Sequence, residues 1–356
     1  MTLAELETYI LSINAEAYTR QRNYLGGSTG LSEYITRGSI GLPKVRELIL
    51  QNNSPNDSYK LINELAWREY WQSVWQVRGN DIFEYIRPLP TKPRQGLPTA
   101  VLNANTGIAA LDDGIKQLQQ TGFIDNHMRM WLAGLICNVA HCEWKIAADW
   151  MHSQLIDGDY ASNHLGWQWV AGSYTGKTYL PQQDNINTYT KTVQRNTYLD
   201  QPYDVIADMA VPTQLKEITT ELPGYNSVLP KSTITIDGLK AEAEILLYSP
   251  WTLDATWHKE SSAKRVLLID TAMFSSGKFS QNVLDSIIWF AGQIPDLAIY
   301  CAPPKELKHL SAKIVRKDYP GIANWPGTAE PPELLYPQVP LKFYPSFSAF
   351  WKQAQR

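Results

Sequence analysis

A mainly α-helical chain followed by a small α/β region is the fold class predicted by three features of the sequence. Amphipathic segments with apolar residues at helical spacing run near 2–20, 43–51, 58–78, 108–121, 125–142 and 144–156, separated by Gly, Pro and Asn clusters. From about 176 to 230 the chain turns polar, and Pro181, Pro202, Pro212 and Pro223 break any long helix there. Beyond it, Ala243 to Tyr248, Arg265 to Asp270 and Leu297 to Cys301 are apolar runs of strand length, and Gln281 to Ala291 has helical spacing, which makes a β-α-β pattern. The predicted organisation is a helical domain over 1–175, a polar connector over 176–230 and a small α/β domain of unassigned role over 231–356. No internal repeat and no low-complexity tract interrupts it.

Composition bounds the functional classes. With 44% hydrophobic and 19% charged residues over 356 positions, the chain is ordinary for a globular protein of about two domains. Three cysteines, Cys137, Cys142 and Cys301, supply no disulfide framework, and no Cys/His spacing suggests zinc. The first residues lack a basic region followed by an apolar run, and no apolar stretch is long enough for a bilayer, so the expected location is cytoplasmic with no membrane partner. The formal net charge of -3 excludes a strongly basic nucleic-acid-binding domain. Thirteen tryptophans are the unusual feature, since indoles serve as core anchors, as stacking platforms and as electron carriers.

Three constellations concentrate chemistry. Asp157 to Trp169 reads Asp-Gly-Asp-Tyr-Ala-Ser-Asn-His-Leu-Gly-Trp-Gln-Trp, which crowds two carboxylates, a carboxamide and two indoles into one loop and helix start. Glu64, Trp67, Arg68, Trp71 and Trp75 fall at i, i+3, i+4, i+7 and i+11, so one helical stripe mixes charge with indoles. A purely structural stripe would leave those charges unpaired at high cost. Gly26-Gly27-Ser28-Thr29 allows close backbone approach and offers hydroxyl and N–H donors; by itself it reads more readily as a helix N-cap in a Gly-Ser linker.

These segments resemble the flavin domain of the photolyase and cryptochrome family, in the family's order and spacing. The resemblance rests on Asn63 to Glu69, on Thr106-Gly107 with Asp112 and Gln117-Leu118, on Thr121-Gly122-Phe123 with Asn126 and Arg129-Met130, and on Ser153 to Ile156 leading into the Asp157 loop. It implies a helical domain holding FAD. Tyr18, Ser28, Thr29, Leu31, Ser32 and Arg68 would contact the dinucleotide phosphates, Arg129 and Asp157 would pair beside the flavin ring, Asp159 would bind ring or ribitol donors, and Asn163 would face the flavin N5. Glu64 and Trp67 would contact a damaged pyrimidine pair, with Trp169 on its other side. Asn126 and Met130, one turn apart, match the enzymes for cyclobutane dimers, whereas His127 points to another helical face. Trp167 and Trp144 match the first two members of an electron relay. The third has no aligned indole between Arg78 and Pro98, which leaves Trp71, Trp75, Trp131 or Tyr85 as substitutes.

The activity this implies is a light-driven lyase of the deoxyribodipyrimidine photolyase kind, in which reduced FAD donates an electron to a cyclobutane pyrimidine dimer in UV-damaged DNA. The cofactor carries the hard step and the protein supplies geometry. A modest set of cations suits a single-stranded substrate, where stacking compensates for fewer phosphate contacts. The alternative is a cryptochrome-like blue-light receptor or a flavoprotein without repair activity. The order of parts, with the α/β segment after the flavin domain, argues against an antenna chromophore, and Phe274 to Lys278 lacks the spacing of a phosphate loop.

Overall fold

The computed structural model describes residues 1–275 and 277–356, and two compact units interleave along the chain. The helical unit comprises 14–29, 55–223 and 338–356; the α/β unit comprises 1–13, 30–54 and 224–337. This corrects the contiguous division expected from the sequence. Residues 176–223 are not a connector, because Ile186, Leu199, Ile206 and Leu215 are buried in the core of the helical unit. Their prolines end short helices, Gln183–Thr190 and Tyr203–Asp208, without preventing burial.

In the helical unit, Pro55–Arg78 is the longest helix, with Leu61, Leu65, Tyr70, Trp71, Val74 and Trp75 buried along it. The helices Ala109–Thr121, Asn126–Gly134, Trp144–His152 and Tyr160–Ala171 are among those that follow. The first ends at Gly122 and the last at Gly172, whose left-handed φ values of 73° and 85° suit glycine at a helix C-terminus. The segment expected as one helix over 125–142 instead widens into a π turn at Leu135–Val139. Residues 2–20 likewise divide, because Asn14 accepts from the Ala17 N–H and starts a new helix at Ala15–Gln21. Two short strands, β1 (Leu97–Pro98) and β2 (Ile218–Thr219), pair antiparallel at the unit's edge.

The α/β unit carries a parallel sheet of β3 (Glu244–Tyr248), β4 (Lys264–Ile269), β5 (Ala298–Cys301), β6 (Lys313–Lys317) and β7 (Thr328–Glu330), ordered β5-β4-β3-β6-β7. The runs Ile245 to Tyr248 and Val266 to Ile269 are buried, as parallel strands covered on both faces require. The helix Gln281–Ala291 lies between β4 and β5 in sequence, as its spacing predicts. Strands β6 and β7 escape the sequence reading, since Ile314 and Val315 are flanked by Lys and Arg and β7 is only three residues long.

At the carboxyl ends of β3 and β6, Trp251 and Tyr319 stack with ring centroids 5.2 Å apart and planes 9° from parallel. The Arg37 carbonyl accepts from the Leu253 N–H at 2.7 Å, and the Arg37 guanidinium donates to the Pro250 carbonyl at 3.3 Å. The crevice where open α/β sheets usually take ligands is therefore packed by the unit's own residues. Ser276, inside the Phe274 to Lys278 stretch, lies outside the described residues.

Gly38 has φ +74°, and a Cβ there would lie 2.7 Å from the Trp251 carbonyl oxygen. Gly38→Ala combines left-handed strain with a backbone clash and should destabilise the α/β unit by about 1–3 kcal/mol, read as a lowered thermal midpoint. An unchanged midpoint would show that the backbone yields there.

Candidate functional site

Five of the expected site residues converge on the loop before helix Tyr160–Ala171. Asp157 is buried, and Nη2 of Arg129 donates to both its oxygens, at 3.0 and 2.8 Å. The contact is forked from one nitrogen, with Nε of Arg129 committed to the Ile124 carbonyl at 2.9 Å. Asp159 caps the helix by accepting from the Ser162 N–H at 2.8 Å, and it also accepts from the Gln72 side chain. Arg68 lies 3.7 Å from the same carboxylate. The expectation had Arg68 facing phosphate; the structure aims it at Asp159, whose side chain is only 1% exposed and so needs a countercharge. Asn163 donates from Nδ2 to the Ala148 carbonyl at 2.9 Å.

One turn along from Arg68, Glu64 accepts from Arg22 at 2.7 Å. Burial pushes the Glu64 carboxyl above its ordinary value, with Arg22 and Lys60 acting in the opposite direction. Tyr18 lies against this pair, and its phenol is pushed up first by burial and then by the Glu64 charge. Ser28 is exposed and Thr29 half-buried. The Gly26 N–H faces both oxygens of Asp125 at 3.3 Å, so this loop receives a carboxylate of the helical unit. Leu31 and Ser32 belong to the α/β unit, where Leu31 is buried and Ser32 opens the helix Ser32–Thr36.

The indoles divide by role. Trp67, expected to present a free face to a base, is stacked by Phe347 at 4.0 Å and 11°. Phe347 opens the helix Phe347–Ala354, which also packs Phe350 on Tyr70 and Trp351 on Tyr59. The sequence reading missed this because the two rings are 280 residues apart. Trp71 and Trp75 are buried, so the stripe turns inward after its second turn. Trp169 is half-buried, with its ring 6.5 Å from Tyr179. Trp167 and Trp144 are buried, at 3% and 1% exposure.

Asn126 is exposed and Met130 half-buried, one turn apart on the helix Asn126–Gly134, where Asn126 sits at the first turn. His127 stacks on Tyr189 at 4.8 Å, and burial lowers its pKa. Arg22, Asp125 and Gln72 are the site residues the expected set lacked. Nothing in the local sequence of Arg22, Asp125 or Gln72 signals a partner. Among the described residues, no helix is long and apolar enough to cross a membrane and no Cys/His/Asp/Glu group could hold a metal.

Residues 61–202 match the family profile described as the FAD binding domain of DNA photolyase. The chain is 27% identical over 199 residues to a deoxyribodipyrimidine photo-lyase of Buchnera aphidicola, covering 46% of this chain and 41% of that protein. It is 30% identical over 183 residues to cryptochrome DASH of Danio rerio, covering 48% and 35% respectively. A solved cryptochrome of Synechocystis aligns at TM-score 0.45 and 23% identity, over 49% of this chain and 39% of that one. The chain thus spans less than half the length of these relatives.

Two variants test the charges. Asp157→Ala strands the Arg129 guanidinium, which is 25% exposed, and should cost about 2 kcal/mol in thermal unfolding, less than the ~3–5 of a fully buried pair. Because the folded state holds the Glu64 proton more tightly than the unfolded chain, this group's contribution is present below the ordinary glutamate value of about 4.3 and is lost as pH rises through the higher folded value. Glu64→Gln should therefore gain on the unaltered protein as pH rises through that window; parallel melting profiles would contradict the assignment.

Proposed function

With residues 61–202 a FAD-binding domain of the photolyase and cryptochrome family, we propose that the chain uses light-driven electron transfer from reduced FAD to repair cyclobutane pyrimidine dimers in DNA. The observation that carries this reading is Glu64 and Trp67 one turn apart on a helix whose next residue, Arg68, meets Asp159 of the flavin loop. A carboxyl group held toward its protonated form suits hydrogen bonding to a pyrimidine carbonyl.

The donor set fits the cofactor. Two buried carboxylates, each met by a half-buried guanidinium, form a polar wall that an apolar core would not tolerate. Arg129 and Asp157 hold the loop in place. Asp159 and Asn163 supply polar groups for the ring and ribitol, Arg68 stands behind Asp159, and Tyr18, Ser28 and Thr29 supply the phosphate end. FAD, when bound, supplies the excited electron that splits the dimer's two ring bonds and recovers it afterwards. Glu64 stabilises the added charge on the dimer by hydrogen bonding, while Trp67 and Trp169 stack on either side of the lesion, and Asn126 and Met130 line its approach. Trp167 and Trp144 carry electrons inward to keep the flavin reduced. The lesion leaves the base stack to reach the site, in the way stated generally for photolyases among base-flipping enzymes. The net charge of -3 favours a single-stranded substrate bound largely by stacking.

One observation favours a second reading, a blue-light receptor or a flavoprotein without repair: Phe347 covers the Trp67 face on which a base would stack. Repair then requires the Phe347 helix to shift.

Illumination of the reduced, FAD-loaded protein with thymine-dimer oligonucleotides, single- and double-stranded, separates the two. Repair is expected for the unaltered chain and faster repair for Phe347→Ala. Glu64→Ala should lose about tenfold in yield with FAD still bound, the effect of one hydrogen bond of roughly 1.5 kcal/mol to a charged group. No restored bases with either the unaltered chain or Phe347→Ala would leave the receptor reading standing alone.

A further inference from the structure

Two aromatic–cation dipeptides, Tyr59-Lys60 and Trp351-Lys352, are 292 residues apart in the sequence and side by side in the helical unit. The Trp351 indole N–H donates to the Tyr59 hydroxyl at 3.2 Å, and the two rings meet edge to face with centroids 6.0 Å apart and planes at 72°. Phe347 lies nearly parallel to Trp351, at 5.8 Å and 18°, and itself stacks on Trp67. Trp351 is therefore fixed in place yet only half-buried, and Tyr59 is 43% exposed. A rigid aromatic ring at the surface has little conformational freedom left to lose when a planar group stacks on it.

The charge around these rings is one-sided. Residues 338–356 include Lys342, Lys352 and Arg356 and no Asp or Glu, in a chain whose net charge is -3. Lys60 and Lys352 are both exposed, and Lys60 Nζ lies 5.8 Å from the centre of the Tyr59 ring. Asp57, the acid nearest to Tyr59 in the sequence, lies one turn before Lys60 but on the opposite side of the helix from Tyr59, and Glu64 is paired with Arg22. Exposed rings beside ammonium groups match a polymer that alternates planar bases with phosphates. A lipid surface would need an apolar outward face, whereas Ser348 and Lys352 are the exposed residues of the helix Phe347–Ala354. We propose that Tyr59, Lys60, Trp351 and Lys352 form a docking ledge for an undamaged stretch of single-stranded DNA, the bases stacking on the rings and the phosphates meeting the ammonium groups. The ledge rests on the DNA reading of this chain and adds a contact apart from the lesion site. All four residues lie outside 61–202, the part that matches the family profile.

The test uses the full FAD-loaded chain and an undamaged oligothymidine of about 12 nucleotides, with affinity read by fluorescence anisotropy over a range of salt. Trp351→Ala and Tyr59→Ala should each weaken binding about tenfold, the effect of losing one stacked base, while Trp351→Phe, which keeps a ring, should retain most of the affinity. Lys60→Gln combined with Lys352→Gln leaves the ring packing alone and should make the slope of log affinity against log salt shallower by about 1.4, the share of two phosphate contacts on a single strand. Unchanged affinity in both ring-to-Ala variants overturns the proposal, as does an unchanged salt slope in the double variant. Heparin is a polyanion without bases, so ring-to-Ala variants that weaken heparin binding as much as oligothymidine binding also overturn it. Binding to anionic lipid vesicles that Trp351→Ala abolishes, with no binding of oligothymidine, overturns it in favour of a membrane surface. Repair is read separately with a saturating thymine-dimer strand: normal repair together with unchanged oligothymidine affinity in the ring variants removes the ledge alone, whereas absent repair with ring-dependent oligothymidine binding intact removes the repair reading alone.

Discussion

The helical unit is organised around two buried carboxylates, Asp157 and Asp159, that cannot remain ionised without partners. An unpaired carboxylate in a low-dielectric interior is disfavoured by far more than a single contact can recover, so each must be met by a cation or by well-directed donors. Arg129 arrives from the helix Asn126–Gly134, Arg68 and Gln72 arrive from Pro55–Arg78, and the Ser162 N–H arrives from the helix that Asp159 itself caps. Three helices are thereby tied to one short loop. A displacement of any of them would expose or strand a charge, so the loop geometry is held more tightly than apolar packing alone would hold it. The same rigidity is what a site for an anionic, electron-carrying cofactor requires.

Aromatic packing supplies the second level of order. Tyr70, with its hydroxyl between Tyr174 and the Tyr344 carbonyl, joins the long helix to the segment preceding the C-terminal helix. Phe347 and Phe350 extend that junction over Trp67 and Tyr70. The residues 338–356 are therefore part of the helical unit and cover one face of the Trp67 ring. Apolar stacking has little of the directional strength of the charged pairs beside it.

The α/β unit shows a different economy of construction. Its sheet is formed by 244–330, yet helices Leu3–Ser12 and Leu42–Asn52 complete the unit from the far end of the sequence. Asn52 and Asn53 donate to the Leu11 and Ile13 carbonyls, closing the helix pair. Forming such non-local contacts requires long loops to close, which slows assembly relative to the local helix pairs of the other unit.

Much of this molecule was legible from residues close together in the chain. Helical periodicity up to about residue 171 and the buried strand runs at 245–248 and 266–269 follow from spacing, because the local backbone dictates that geometry, whereas the Arg129–Asp157 pairing was implied only by the family resemblance. Strands β6 and β7 were not legible, because their charged flanks mask a short apolar run. The Trp67–Phe347 stack, the Glu64–Arg22 pair and the transfer of residues 1–13 to the sheet unit were decided by tertiary structure alone. A side chain's type and period determine which face it seeks to bury or pair, but the partner it meets depends on where distant segments pack, and no local pattern records that.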